Sequence, residues 1–545
     1  MRGVAAAVAL LASAPAVAQG APLSLTIDEM LRWTPEGPTA DPGNVARVPV
    51  ARRFIARPLR RDAAIDPQVR VLYAPDGMND LGGARTRQPR FNGYVFTHWA
   101  QIDVFAWFAG TADRGINLPS RGWVEAAHRN GVEVIGTVFF APVAWGGSPK
   151  TVASFLRRDA QGHFPAARQL VRIARHYGFD GWFVNAETAG ADGAAMIDFM
   201  AELRAVAPAG MTIHWYDALL PDGRVRWQNA LTPANARFLQ DGKRRTADAM
   251  FLNYDWTRQG LAEGAALARR LGRSRYDVFV GADLWPARDA QPAFRNAGWL
   301  DALRERPGGK AFGSVALFAP HFGYSWPGDT RTPRFSNFDR DAGDVTRFHD
   351  AERRLFAGDG RNPAGAVGAG WPGVASLAPT RGLVPALPFT TSFNTGHGRV
   401  DAREGAVVGG PWHDMARQDA LPTWQFAVHG ERRVAVDYDF DAPFDGGSSL
   451  RIVPQAAGGR ADVSLYALRL DRPVTVTAVT RGGAAGYALR VGSTTRPLPA
   501  SVGWQRTSWC VRPRAGETRL SIIVRPAART ALHIGRLSIE AGCRD

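Results

Sequence analysis

Gly178-Phe179-Asp180-Gly181-Trp182-Phe183-Val184-Asn185-Ala186-Glu187 is a run of bulky apolar residues that ends in an amide and a carboxylate two positions apart. A short apolar run bounded by glycines reads as a strand buried on both faces. Alternate side chains of a strand share a face, so Asn185 and Glu187 emerge together at its C-terminal end. In parallel α/β folds that end is where sites are built. The competing reading is local: Asn185 caps the next helix and Glu187 sits in its first turn.

Outward from this stretch the pattern recurs. Apolar runs ending in polar or aromatic residues lie at Val69–Tyr73, Ile102–Phe108, Val132–Phe140, Met211–Asp217, Met250–Asp255, Asp277–Asp283 and Ser314–Ala319. Amphipathic stretches fall between most of them: Ser120–Asn130, Phe164–Tyr177, Ala194–Val206, Gln259–Leu271 and Gln291–Arg306. With Phe179–Asn185 as the fourth strand, this alternation predicts an α/β fold, a (β/α)8 TIM barrel. The strand termini gather aromatic and polar residues. His98 and Trp99 precede the second strand; Phe139 and Phe140 close the third; Tyr216 and Asp217 close the fifth. Asn253 and Trp256 follow the sixth, and Asp283 and Trp285 end the seventh. Brought to one face, they make an aromatic-walled cleft with a few polar groups, the usual form of a carbohydrate site. Asp217, Asp255 and Asp283 are candidates to bind sugar hydroxyls or, equally, turn and cap residues.

An amide beside a carboxylate suits cleavage of a glycoside that carries a 2-acetamido group. There the substrate's own acetamide replaces the second protein carboxylate as nucleophile. One acid/base is still needed, to protonate the leaving oxygen and later activate water, and Glu187 would supply it. A neutral group must hold the acetamide against the anomeric carbon, and Asn185 would supply that.

Past residue 345 the composition shifts. Residues 346–388 read as a linker or long loop, Gly/Pro/Ala-rich from 358. From 389 short strands recur at regular spacing: Arg432–Phe440, Ser449–Pro454, Ala461–Leu470, Thr475–Thr480, Tyr487–Gly492, Thr507–Arg512, Arg519–Val524 and Leu532–Ile539. This predicts a C-terminal antiparallel β-sandwich over 389–545, after a barrel over 69–345. Residues 19–68 read as a leading segment wrapped on the body. Before it, Arg2, an apolar alanine-rich run and Ala16-Val17-Ala18 have the form of a signal peptide over 1–18, so the chain is expected to be exported, periplasmic or secreted. No later stretch is apolar for long enough to span a bilayer.

The 545 residues, 45% hydrophobic and 21% charged, can bury a large core and exclude a disordered chain. A net charge of +16 raises the question of an anionic partner. The basic residues are mostly arginines scattered singly among Ala and Gly, which argues against nucleic acid as a partner. Cys510 and Cys543 could close one disulfide, and two cysteines are too few for a metal cluster. No metal motif is present, and the proposed chemistry needs no cofactor. Oligomeric state is not encoded in any of these patterns.

Several ordered motifs resemble those of the family-85 glycoside hydrolases, the endo-β-N-acetylglucosaminidases. They are Trp123–Val132 followed by Val134-Ile135-Gly136-Thr137, Gly178–Glu187, Trp215-Tyr216-Asp217 with Trp227-Gln228-Asn229, and Phe251–Tyr254. Phe318-Ala319-Pro320, Ser392–Gly398 and Gln418–Trp424 extend the resemblance beyond the barrel. It implies hydrolysis of the β-1,4 bond in the chitobiose core of an N-linked glycan on a glycoprotein. It also implies retention of configuration through an oxazolinium ion, and transglycosylation. Glu187 matches the family's acid/base, Asn185 the residue that orients the acetamide, and Tyr216 the tyrosine near the intermediate. Trp99, Trp227, Trp256 and Tyr324 fall where the family keeps aromatic subsite or gate residues; His98, Phe140, Asn253 and Trp285 complete the expected substrate contacts. After Phe139-Phe140 this chain has Ala141-Pro142 where many members carry a mannose-contacting glutamate. Two other readings stay open. A family-18-like chitinase or endoglycosidase would show D-x-x-D-x-D-x-E, which Asn185 and Ala186 break. A non-catalytic glycan-binding protein would have no need of the acid.

Overall fold

The computed structural model describes residues 23–60, 63–76, 86–284, 298–321, 346–366 and 370–543. Eight strands form its centre: β1 Val71–Ala74, β2 Val104–Ala106, β3 Glu133–Phe140, β4 Gly181–Ala186, β5 Thr212–Tyr216, β6 Ala249–Leu252, β7 Val278–Asp283 and β8 Ser314–Phe318. All pair in parallel and in chain order. β8 returns to β1, with Val315 beside Val71, so the sheet closes into the barrel that the sequence predicts.

Closure follows from strands apolar on both faces. In β4, Phe183 points into the lumen with Leu72, Ile135, Phe251 and Phe279. Trp182 and Val184 point outward into the helix layer. The Trp182 indole N–H donates to the Leu170 carbonyl at 3.1 Å, locking β4 to the helix Pro165–Tyr177. Gly178 ends that helix in the left-handed region, φ 76°, and lets the chain turn back into the strand. At Gly181, φ 155°, a Cβ would collide with the Thr212 carbonyl of β5, so the neighbouring strands can pair closely only without one.

The helices Arg121–Arg129, Pro165–Tyr177, Gly193–Val206 and Arg258–Arg270 lie where the apolar periodicity put them. Gln291–Arg306 yields only the short helix Trp299–Ala302 among the described residues. Between β5 and β6 the chain makes a 3-10 turn, Ala236–Phe238, and a two-strand ribbon, Gln240–Asp241 with Arg244–Arg245.

Beyond the barrel the chain builds two sheets of seven and six strands, antiparallel in all but one pairing, and two short two-stranded ribbons; the large sheets are the sandwich expected over the C-terminal part. Cys510 and Cys543 form a disulfide at its end. The leading segment is woven in: Arg52–Ile55 pairs antiparallel with Arg381–Val384. The stretch 346–388, expected as a linker or loop, holds that strand and the helix Thr346–Ala357, whose Glu352 is buried beside the barrel. Glycines and prolines after residue 357 dominate the composition there and hide both elements. Among the described residues no helix is long and apolar enough to cross a membrane.

Candidate active site

Asn185 and Glu187 stand on the inner face of β4 and its extension, at the base of a cleft of about 670 Å³ at the C-terminal end of the barrel. Period-two alternation puts Phe183, Asn185 and Glu187 in the lining and Trp182, Val184 and Ala186 behind it. The expected helix cap is not formed: the next helix, Gly193–Val206, is capped by Asp192. The Asn185 amide donates to Glu187 Oε1 at 2.9 Å. Its own Oδ1 is buried and has no hydrogen-bond partner among the described residues.

Tyr216, last residue of β5, lines the same cleft and is 6% exposed. Its hydroxyl donates to Asn253 Oδ1 at 2.8 Å, and Asn253 Nδ2 donates to Asn229 Oδ1 at 2.8 Å. Asn253 therefore lines the cleft with both ends of its amide engaged. Burial, reinforced by Glu187 and Asp217, holds the Tyr216 hydroxyl well above the usual tyrosine range, so it stays protonated. Below it in the lumen, burial drops His214 to about 3 and keeps that ring neutral.

Asp217 is 1% exposed and bonds protein groups, not the cleft. Its Oδ2 accepts the backbone N–H of Gln228 and Asn229, and its Oδ1 the Asn235 amide. It pins the loop that holds Trp227, 43% exposed, at the rim. Burial pushes its carboxyl up to about 7 against those bonds. Asp76, Asp255 and Asp283 also line the cleft.

Four expected contacts lie elsewhere. His98 and Trp99 precede β2 and so emerge at the opposite, N-terminal end. Both are buried: Trp99 donates its indole N–H to Gln418 at 2.5 Å, and His98 Nδ1 meets Glu352 at 3.1 Å. Phe140 points outward onto Phe155, 5.0 Å away, because alternation gives the lumen to Phe139. Trp256 donates to the Gly281 carbonyl and packs against Trp299, outside the lining. Trp285 and Tyr324 lie outside the described residues.

The sequence reading missed Trp145 and Phe108, which line the cleft with Tyr254 at the end of the sixth strand. Trp145 sits on a 3-10 turn, Val143–Trp145, that Pro142 starts directly after β3, and it is 67% exposed. That Pro-led turn at a strand end was the available signal. No cluster of three or more His, Cys, Asp or Glu side chains able to hold a metal occurs among the described residues.

An acid and a neutral amide under aromatic walls, at the mouth of a parallel barrel, define the class of barrel proteins that handle carbohydrate. Within that class the chain belongs to glycosyl hydrolase family 85, whose sequence profile matches residues 79–400. It is 28% identical over 498 residues to a cytosolic endo-beta-N-acetylglucosaminidase of Gallus gallus, covering 89% of this chain and 58% of that protein. The Homo sapiens protein of the same name is 28% identical over 82% of this chain and 54% of its own length. The chain thus spans less than two thirds of these curated relatives. The crystal structure of the glycoside hydrolase domain of Endo-D from Streptococcus pneumoniae superposes with a TM-score of 0.81, covering 95% of this chain and 83% of that one at 25% identity.

These relatives correct one expectation. Those in Gallus gallus, Homo sapiens, Mus musculus and Arabidopsis thaliana are all named cytosolic, against the periplasmic or secreted location read from the first residues. The apolar run behind that reading lies outside the described residues.

Proposed function

We propose that this chain cleaves the GlcNAc-β1,4-GlcNAc bond in the core of N-linked glycans, leaving one GlcNAc on the glycoprotein. The observation that carries this reading is the orphaned Oδ1 of Asn185 beside Glu187. In substrate-assisted cleavage the acetamide carbonyl oxygen bonds to the anomeric carbon as the glycosidic bond breaks, and its N–H becomes acidic as the ring closes. A neutral acceptor suits that N–H, and the orphaned oxygen offers one without placing a second negative charge beside the acid. Glu187 gives its proton to the departing oxygen; its carboxylate then takes a proton from the water, or from the sugar hydroxyl, that opens the oxazolinium ion. Two displacements at one carbon retain the configuration.

Trp145 and Trp227, both exposed at the cleft, offer flat faces for the sugars on either side of the cut. With Ala141-Pro142 after β3, the Ala141 carbonyl accepts the Thr188 hydroxyl at 2.7 Å, and the turn presents an aromatic face in place of an acid. Mannose would then be held here by stacking.

The test is to incubate the protein, and its Glu187→Gln variant, with a high-mannose glycoprotein and weigh the products by mass spectrometry. The expected products are a polypeptide keeping one GlcNAc and a released glycan ending in the other, with none from the variant. No release from high-mannose or complex glycans by the wild type would overturn the reading.

A further inference from the structure

Asn229 is a non-glycine residue in the left-handed region, φ 56°, on the loop after β5. Such a conformation costs energy and needs a reason in the surroundings. Its backbone N–H donates to Asp217 Oδ2 at 2.7 Å, which fixes the residue in place. Its side-chain Oδ1 then accepts from Asn253 Nδ2 at 2.8 Å and from the Asp255 N–H at 3.3 Å. With Asn253 Nδ2 held there, Asn253 Oδ1 is turned toward Tyr216, whose hydroxyl hydrogen it takes at 2.8 Å. Tyr254 lines the same cleft beside Tyr216. Asp217, buried, thus anchors the Asn229 end of the chain of amides.

A phenol has one hydrogen and two lone pairs. With the hydrogen committed to Asn253, Tyr216 can offer the cleft lone pairs only. We propose that Asp217, Asn229 and Asn253 are positioning residues that set the polarity of Tyr216, holding its hydroxyl as an acceptor toward the reacting sugar. A flipped Asn253 amide would turn an N–H toward Tyr216 and push the phenolic hydrogen into the cleft; the Asn229 oxygen prevents this flip. What Tyr216 accepts is a donor engaged in the proton transfers, the protonated carboxyl of Glu187 or the water that opens the oxazolinium ion, since Asn185 Oδ1 takes the single acetamide N–H. The relay therefore acts on the chemical step and not on the hold on the glycan, which Trp145 and Trp227 provide. This inference rests on the activity proposed above.

The test is a double-mutant cycle with Asn229→Gly and Tyr216→Phe. Glycine keeps the positive φ and the N–H to Asp217 while removing Oδ1, so the loop stays anchored. Glycan release from a high-mannose glycopeptide gives kcat and KM, and binding of a chitobiose-derived thiazoline, a stable mimic of the cyclised intermediate, gives a second readout. Asn229→Gly should lower kcat about tenfold with KM changed by less than about twofold, since a misplaced hydrogen bond acts in the transition state. Tyr216→Phe should lower kcat by about 100-fold, and the double variant should be no worse, because residues acting through one group are not additive. Thiazoline affinity should fall in the same non-additive way. An active wild type in which the two losses multiply, or in which Asn229→Gly alters only KM, overturns the relay alone. A wild type that neither releases glycan nor binds the thiazoline overturns the activity reading and the relay with it.

Discussion

At the C-terminal mouth of the barrel, Asn185, Glu187, Tyr216 and Trp227 surround an open cleft; at its N-terminal end, Trp99, His98, Gln418 and Glu352 form a packed cluster. Each end holds a glutamate, a carboxamide and a tryptophan, and what separates them most is access. Glu352 accepts the Thr97 N–H at 3.0 Å and hydroxyl at 2.9 Å and meets His98 at 3.1 Å, while the His98 ring lies on Phe356. Burial lifts Glu352 to about 8 and drops His98 to about 3, so the pair is neutral. At that end polar groups are switched off and used as packing; at the mouth a carboxylate stays within reach of solvent and substrate. Chain position relative to a strand decides which end a residue joins, and sites are built at the end that follows the strands.

Swapping each acid for its amide should break the symmetry most sharply. Glu187→Gln is expected to lower glycan release by about 10³-fold, the loss of a general acid/base. Glu352→Gln, which keeps an oxygen for Thr97, should leave the rate within about twofold. Equal losses would mean that the N-terminal cluster is catalytic. Asn185→Ala comes next, with a loss of about 100-fold on the glycan and a smaller one on a preformed sugar oxazoline, whose ring is already closed. The same loss on both substrates would remove the role given to Oδ1.

The two tryptophans make the corresponding pair for binding. Trp227→Ala should raise KM about tenfold, roughly 1.4 kcal/mol, and leave melting almost unchanged, because the ring is exposed. Trp99→Ala should instead cost about 3–5 kcal/mol of stability, from the cavity and from an unpaired Gln418 oxygen, with KM unaltered in the protein that remains folded. Denaturant unfolding and steady-state kinetics on both variants separate the outcomes.

What was legible in the sequence follows the same division. The eight barrel strands and most sandwich strands were readable, since continuous apolar runs and regular turns are local signals. Asn185 and Glu187 were readable because period two places them on one face, and Tyr216 because it ends the next strand and matches a family motif. Phe140 was assigned to that face by adjacency, although alternation gives it to Phe139. His98 and Trp99 were assigned from their place beside the second strand and, for Trp99, from the family resemblance, although residues that precede a barrel strand open at its other end. Asn253 read as a substrate contact after the sixth strand and Asn229 as part of a motif; their relay rests on a positive φ and on a contact across 24 residues, which neither reading shows.

The smallest effect tests the switched-off state of the N-terminal cluster directly. Glu352 titrates near 8 when folded against 4.5 for an ordinary glutamate, because burial penalises its charge. Below pH 4.5 it is protonated folded or unfolded, and Glu352→Gln should melt with the wild type. As pH rises toward 8 the unfolded chain ionises freely while the folded protein must bury a charge, so the wild type loses stability that the variant keeps. The variant's Tm advantage should therefore start near zero, grow between about pH 4.5 and 8, and level off above. His98 works with the opposite sign: its folded value near 3 lies below the ordinary 6.5, so stability is lost on acidification through that range in wild type and variant alike. A Tm difference independent of pH would mean that Glu352 is charged in the folded protein, and that the two ends of the barrel differ less in electrostatics than in shape.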